Sequence, residues 1–125
     1  MALNVTRPSR FKSYHAHNLV DDQTETLYTC PEHCVSYMSL LFVSNTGSNA
    51  SDYSIDWYHA DDASTTHIVG GKNLSAGAYE QFSNGFIVLE PNDTMSITVT
   101  NTGGAGIPDV DSFCTVEEVF LPTQG

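Results

Sequence analysis

The chain has 125 residues, of which 40% are hydrophobic and 15% charged, and its formal net charge is −11 at pH 7. This length allows one domain with its own core, and the apolar content excludes an intrinsically disordered chain. The acidic balance argues against nucleic acid as a partner. No run approaches the roughly 20 apolar residues of a membrane helix, so a membrane is not expected as a partner either.

The basic residues are concentrated at the N-terminus. Arg7, Arg10 and Lys12 lie within the first twelve positions, which contain no acid, so this segment carries +3 and the remaining chain −14. Apolar residues are sparse in residues 1–23 and lack helical spacing. We therefore expect residues 1–23 to form an extended docking arm and residues 24–125 to form the folded domain.

The arm supplies the residues expected to bind a partner, through charge-assisted contacts, apolar anchors and strand pairing. They are three cations and two aromatic residues: Arg7, Arg10, Phe11, Lys12 and Tyr14.

Beyond the arm, short runs of alternating or β-favouring residues are separated by turn residues. They predict strands at residues 24–29, 34–44, 53–57, 65–69, 79–82, 86–89, 94–100 and 113–121. The Gly70-Gly71 pair is expected to end one strand, and Asn84-Gly85 predicts a hairpin between two others.

Two of these runs have informative faces. Strict alternation in residues 34–44 puts apolar residues on both faces, which predicts a central strand covered twice or a subunit contact. One face is expected to carry Val35, Tyr37, Leu41 and Val43, and the other Met38, Leu40 and Phe42. In residues 53–57 the alternation of Tyr53, Ile55 and Trp57 with polar residues predicts a core-facing side.

The number and spacing of the strands, without a convincing helix, predict an all-β fold. The expected architecture is a single antiparallel β-sandwich of jelly-roll type with an extended N-terminal arm.

Three segments resemble small β-sandwich virion proteins of tailed bacteriophages. They are residues 27–31 (Leu-Tyr-Thr-Cys-Pro), residues 44–47 (Ser-Asn-Thr-Gly) and residues 86–95 (Phe-Ile-Val-Leu-Glu-Pro-Asn-Asp-Thr-Met), and the resemblance covers roughly residues 24–121. Asn92 stands where such proteins have glycine, and asparagine tolerates the left-handed turn conformation. The resemblance implies a structural role, as a capsid decoration or cement subunit or as a neck, tail or fibre-attachment part.

A metal centre is a minor alternative. Cys30, His33 and Cys34 lie within five residues, and Cys114 could complete a four-ligand zinc site from the last predicted strand. Reduced, partly buried thiols are the favoured interpretation, because the third cysteine stands alone and a disulfide is unusual in a cytosolic product. The His15 and His17 pair in the arm could also face a metal, but contact with a partner is preferred. No cofactor is expected.

No motif of an enzyme active site is present, so enzymatic activity is not expected. The resemblance implies a virion subunit, and since the first residues lack the apolar run of a signal peptide, we expect it to be made in the host cytoplasm. Its partner would be the major capsid protein or other virion proteins, and self-association, including a trimer, is expected. A carbohydrate-binding module with Tyr58 or Tyr79 as stacking residues is the rival hypothesis; Tyr58 is the aromatic residue expected to face outward.

Overall fold

The computed structural model describes residues 8–20, 23–83, 85, 87–102 and 106–122. These residues form nine strands: β1 (Ser9–Leu19), β2 (Gln23–Thr29), β3 (Cys34–Asn45), β4 (Ser51–His59), β5 (Ser64–Leu74), β6 (Tyr79–Phe82), β7 (Ile87–Leu89), β8 (Thr94–Asn101) and β9 (Val110–Phe120). No helix in the described part is long and apolar enough to cross a membrane.

The strands form two antiparallel sheets. The first sheet has the order β1-β9-β3-β6, with β7 also paired to β3, and the second has the order β2-β8-β4-β5. Successive strands of the chain mostly alternate between the sheets, so the chain wraps around the sandwich as in a jelly roll. The predicted fold class is confirmed.

The core lies between the sheets and is built by alternation along each strand. On β9 the residues from Val110 to Glu118 at even positions are buried, whereas those between them are half-exposed. On β4, Tyr53 and Ile55 are buried and Trp57 packs against the core. The predicted inward side of β4 is therefore confirmed.

The predicted faces of β3 are wrong in part, because a β-bulge lies between Met38 and Leu40. The extra residue reverses the alternation along the strand. As a result Met38 faces the core together with Leu41 and Val43. Four apolar residues lie on the solvent side instead: Val35, Tyr37, Leu40 and Phe42.

Two turn predictions are also wrong. The Gly70-Gly71 pair lies inside β5, where a register shift against β4 accommodates it and Gly71 has a φ of 72°. Strands β6 and β7 do not form a hairpin with each other, because both pair with β3 at successive positions along it. Asn84, half of the predicted turn, lies outside the described residues.

The described part of the predicted arm is an edge strand of the first sheet. Strand β1 pairs with β9 from Ser9 opposite Val119 to Leu19 opposite Val110. Ala16 and Leu19 are buried, which joins this strand to the core.

The segments that carry the phage resemblance meet at turns and support the fold. The buried carboxylate of Asp93 accepts hydrogen bonds from Trp57 Nε1 and from the backbone N–H groups of Ala60 and Glu90, at 3.0–3.1 Å. Asn92 beside it has a φ of 69°, as the turn requires. The backbone of Cys30 pairs with both residues of this turn, so residues 27–31 and 87–95 form one structural unit.

The Asn-Thr-Gly turn has a steric explanation. A Cβ atom on Gly47 would lie 2.3 Å from the carbonyl oxygen of Ile107. The buried Asn45 side chain accepts from the N–H groups of Gly47 and Asp109 and donates to the carbonyl of Leu74. This motif therefore packs two loops together.

Candidate interaction surface

Alternation along β1 sends the predicted partner-binding side chains to opposite sides of the first sheet. Arg10, Lys12 and Tyr14 are paired with inward-facing positions of β9. Phe11 points to the solvent side and is 75% exposed. Arg7 lies outside the described residues. The four described residues thus do not share one surface, and their role in binding a partner remains a prediction.

Arg10 is the counter-ion of a carboxylate in the core. Glu118 on β9 is fully buried, and Arg10 Nε donates to its Oε1 at 2.5 Å. Tyr28 Oη on β2 donates to Oε2 at 2.6 Å, and Tyr14 Oη contacts the same oxygen at 3.4 Å. Ser36 Oγ lies 2.7 Å from Tyr28 Oη, and because the hydrogen of the Tyr28 hydroxyl is donated to Glu118, Ser36 is the donor in this second hydrogen bond. We call these residues the Glu118 cluster.

The Glu118 cluster is organised around an ionised carboxylate. Burial alone would raise the pKa of Glu118, but the hydrogen bonds from Tyr28 and Arg10 outweigh it and lower the pKa. Burial and the Glu118 hydrogen bond both raise the pKa of Tyr28, so its hydroxyl stays a donor. Because β2 and β9 belong to different sheets, the cluster joins the sheets and fixes β1 to them.

A second cluster of the same type lies between β4, β5 and β6. Buried Tyr53 donates to Glu80 Oε1 at 2.7 Å, and Lys72 binds the other oxygen of this carboxylate. We call it the Glu80 cluster. Of the three basic side chains that the structure describes, two therefore neutralise carboxylates of their own chain, while Lys12 lies 5.7 Å from the centre of the Tyr14 ring.

Sequence reasoning missed both clusters. The available signal for the first was Glu118 itself, which occupies an inward position in the alternation that Val116 and Cys114 define. A carboxylate at a core position requires a cation or several donors. Its partners are 90 and 108 residues away in sequence, so they could not be identified without the fold.

The solvent side of the first sheet carries a group of aromatic residues among polar positions such as Ser13, His15 and Thr115. Phe42 stacks between Phe113 and Tyr79, with ring centroids 5.1 and 5.4 Å apart. We call this side the aromatic face, and its principal members are Phe11, Tyr37, Phe42, Tyr79, Val88 and Phe113. Exposed apolar and aromatic side chains grouped on one side of a soluble protein indicate a candidate interaction site.

The solvent side of the second sheet is polar. Its central rows carry hydroxyl groups, with Thr24 Oγ1 and Thr98 Oγ1 2.9 Å apart. Asp56 lies opposite His67, 2.6 Å from its Nδ1. We call this side the hydroxyl face, and its members include Thr24, Thr26, Asp52, Ser54, Asp56, Tyr58, Thr65, His67, Thr94, Ser96 and Thr98.

The two tyrosines considered for sugar stacking lie on different faces. Tyr58 on the hydroxyl face is 42% exposed, as predicted. Tyr79 is 66% exposed and belongs to the aromatic face, so the expectation that Tyr58 alone faces outward is wrong.

The predicted zinc ligands are not brought together. Cys30, Cys34 and Cys114 are free and buried, whereas His33 is exposed. Cys34 pairs with Phe120, six positions along β9 from Cys114, which separates them by about 20 Å. No group of three metal-binding side chains occurs among the described residues.

Burial also makes these thiols unreactive. It raises the pKa of Cys30 and Cys34, and that of Cys114 to about 12. Protonated thiols are poor nucleophiles and poor metal ligands.

The histidine pair that was the second candidate for a metal lies on the edge strand β1. The rings of His15 and His17 are 4.4 Å apart, and His17 Nδ1 is 3.7 Å from Asp111 Oδ1. This arrangement is a surface cluster on β1 and β9.

No protein-family model and no curated protein matches this chain. Its fold is similar to that of a chain in the acid-stable capsid of Helicobacter pylori bacteriophage KHP30, with 13% identity, 94% of this chain and 95% of that chain covered, and a TM-score of 0.54. It is also similar to the Bacillus endospore appendages, a family of disulfide-linked pili, with 13% identity, 98% and 96% covered, and a TM-score of 0.53.

A third similar structure is that of infectious bursal disease virus, Gx strain, with 15% identity and a TM-score of 0.54. It covers 90% of this chain but only 32% of the viral chain. At such identities the likeness shows the fold alone. The chain has an all-β jelly-roll fold.

Proposed function

We propose that this chain is a non-enzymatic structural protein of a bacteriophage virion, a capsid cement or decoration subunit that binds the assembled coat lattice. The observation that carries the proposal is the jelly-roll fold, which aligns along nearly the whole of this chain and of a chain in the KHP30 capsid. The partner would be the major capsid protein or another virion protein.

The surface chemistry supports attachment to a large assembly. The aromatic face is an apolar surface that a partner could cover. The net charge of −11 would then keep decorated particles from associating with one another. Several copies around a symmetry axis, including a trimer, would strengthen attachment through multivalency.

The same fold would also serve a neck, tail or fibre-anchoring subunit, and the position on the particle distinguishes these roles. A pilus subunit of the Bacillus type is less well supported. Disulfide linkage needs accessible thiols, whereas the three cysteines of this chain are buried.

A carbohydrate-binding module is the rival from another class. Tyr58 and Tyr79 lie on opposite sides of the sandwich, so they cannot stack together on one sugar chain. Saturable binding on a glycan array that Tyr58→Ser abolishes would favour this rival over the virion role.

The proposal is tested by mixing the purified chain with empty coat particles produced from the same viral genome. We expect saturable co-sedimentation and regularly spaced extra density on the shell by electron cryomicroscopy. A chain that stays in the supernatant, or that forms filaments by itself, would contradict the proposal.

Deleting residues 1–14 would be a poor test of the arm. It would remove half of β1 and the counter-ion of Glu118. Lys12→Glu, with Thr65→Glu at an exposed position of β5 as the control, tests the charge without removing a strand.

A further inference from the structure

One row of the aromatic face combines a carboxylate with aromatic neighbours. Glu117 on β9 is paired with Phe11 on β1 and with Tyr37 on β3, and Tyr37 is paired with Val88 on β7. Directly paired residues have their Cβ atoms about 5 Å apart on the same side of a sheet. Glu117 therefore lies between two aromatic side chains.

The apolar neighbours of Glu117 are open to solvent. Phe11 is 75% exposed, Tyr37 37% and Val88 38%. These side chains cover the carboxylate only in part, so a partner can reach it.

Glu117 lacks a partner within the described chain. The side chain is half-buried, yet no hydrogen bond or ion pair to it occurs among the described residues. Two other half-buried carboxylates of the sandwich are paired with basic groups, Glu80 with Lys72 and Asp56 with His67, whereas Asp109 also has one carboxylate oxygen without a partner among the described residues. Covering Glu117 with an apolar surface alone would leave a desolvated charge, which is costly.

A cationic side chain satisfies both features of the row. A guanidinium group can bind a carboxylate through two parallel hydrogen bonds and can stack on aromatic rings at the same time. Lysine would provide the charge but not the planar stacking surface.

A second copy of this chain is disfavoured as the source of that cation. Among the described basic side chains, Arg10 and Lys72 are held by Glu118 and Glu80, and Lys12 lies beside the Tyr14 ring on the other side of β1. The described part of the aromatic face carries no lysine or arginine. Two copies meeting through this face would bring Glu117 carboxylates together, in chains that each carry a net charge of −11.

We propose that Phe11, Glu117 and Tyr37 form a docking site for an arginine side chain that projects from an apolar surface of the coat protein. The site rests on the proposed virion function and specifies which face of the sandwich meets the coat lattice. The arginine would insert between the two rings and bind the carboxylate as water leaves the interface.

The first test measures binding of the intact chain to coat particles. Glu117→Gln keeps the shape of the side chain and removes its charge, and we expect about tenfold weaker binding and a weaker dependence on salt. Phe11→Ser should weaken binding to a similar extent. The matched controls on the hydroxyl face, Asp52→Asn and Tyr58→Ser, should leave binding within about twofold.

Urea unfolding of each variant separates loss of binding from loss of folding. If the Glu117→Gln variant binds coat particles as tightly as the wild type does, the docking site is overturned while the virion function stands. Loss of binding in Lys12→Glu, with no effect of Glu117→Gln, would point instead to contact through Lys12 and would also overturn it.

A second test does not depend on the virion function. The isotope-labelled chain is titrated with N-acetylarginine methylamide, and N-acetylnorleucine methylamide serves as the uncharged control. We expect amide chemical-shift changes centred on Phe11, Glu117 and Tyr37 with the arginine probe, and their loss in Glu117→Gln. Changes spread equally over both faces, or centred on Asp52, would contradict the site.

Discussion

The two solvent-facing sides of the sandwich differ although their strands are built by the same rule. Both sheets bury alternate residues, but the outward positions of the first sheet include the stacked rings of Phe42, Phe113 and Tyr79, whereas those of the second carry mainly serine, threonine and acidic side chains. A strand that alternates between core and solvent normally carries polar residues on its solvent side, as the second sheet does. The aromatic face is therefore the side with a surface to be covered, and the hydroxyl face is the side suited to water.

The two clusters that bind the sheets together differ in how deeply their carboxylates are buried. In the Glu118 cluster the carboxylate is fully buried and its cation comes from β1, the edge strand that also presents Phe11 to the aromatic face. In the Glu80 cluster the carboxylate is only half-buried, and Lys72 is largely exposed. We infer that the aromatic face depends on the Glu118 cluster for the position of its outermost strand.

The two clusters should differ most in how much free energy of unfolding is lost when the cation of each is removed. Arg10→Met leaves the fully buried Glu118 carboxylate without its cation, and because a buried charge that loses its partner is costly, this variant should be clearly less stable than Lys72→Met even though the Arg10 side chain is itself 47% exposed. Lys72→Met should cost at most about 1 kcal/mol, because an exposed ion pair contributes little. Urea unfolding at neutral pH measures both values.

Hydrogen exchange provides the structural readout for the same pair of variants. In Arg10→Met the amides of β1 should lose protection, whereas in Lys72→Met they should not. Equal destabilisation by the two substitutions would contradict the distinction between the clusters.

Acid should weaken the chain through Glu118. Its pKa is lower in the folded chain than the unfolded value of about 4.3, so the unfolded chain binds more protons in acid. The stabilisation is complete at pH values well above 4.3 and is lost as the pH falls through the folded pKa. Unfolding measured between pH 3 and 7 should show this decline.

Glu118→Gln is the variant that isolates this effect. At neutral pH it should lose about 2 kcal/mol, the contribution of hydrogen bonds to a charged group. The difference in free energy of unfolding between this variant and the wild type should become smaller in acid, because protonation of Glu118 removes the stabilisation from the wild type. A deficit that stays constant from pH 7 to pH 3 would mean that Glu118 does not titrate with folding.

The two outer faces should differ in their affinity for an apolar probe. Phe11→Ser and Tyr58→Ser remove exposed rings from opposite sides, and each should change the free energy of unfolding by no more than about 0.5 kcal/mol. Nile red fluorescence should fall clearly in Phe11→Ser and little in Tyr58→Ser. A larger decrease in Tyr58→Ser would reverse the assignment of the faces.

The smallest effect is expected within the hydroxyl face. Thr98→Val removes one hydroxyl of the exposed pair with Thr24, and water can satisfy the other. The free energy of unfolding should again change by no more than about 0.5 kcal/mol. A loss above about 1.5 kcal/mol would show that the hydroxyl rows stabilise the sheet.

The fold class and most strands could be predicted because they depend on local patterns. Tyr53, Ile55 and Trp57 alternate without interruption, and their side of β4 is inward as predicted. The β3 faces could not be assigned correctly, because a single bulged residue after Met38 leaves no mark in composition yet reverses every following side chain.

The interaction surface could not be predicted for a different reason. Charge density singled out the first twelve residues, but Arg10 is neutralised by Glu118, which lies 108 positions away. The pairing of Phe11, Glu117 and Tyr37 likewise depends on strand register between distant segments. Neither arrangement can be inferred from the residue pattern within a single segment of the sequence.

The orientation of the chain on a particle tests the central claim most directly. An electron cryomicroscopy map of coat particles with the bound chain, at a resolution that shows side chains, would identify the contacting sheet. We predict that the aromatic face lies against the coat, with a coat arginine beside Glu117, and that the hydroxyl face points to solvent. A map in which Thr24, Thr98 and Asp56 contact the coat while Phe11 and Glu117 face solvent would contradict it.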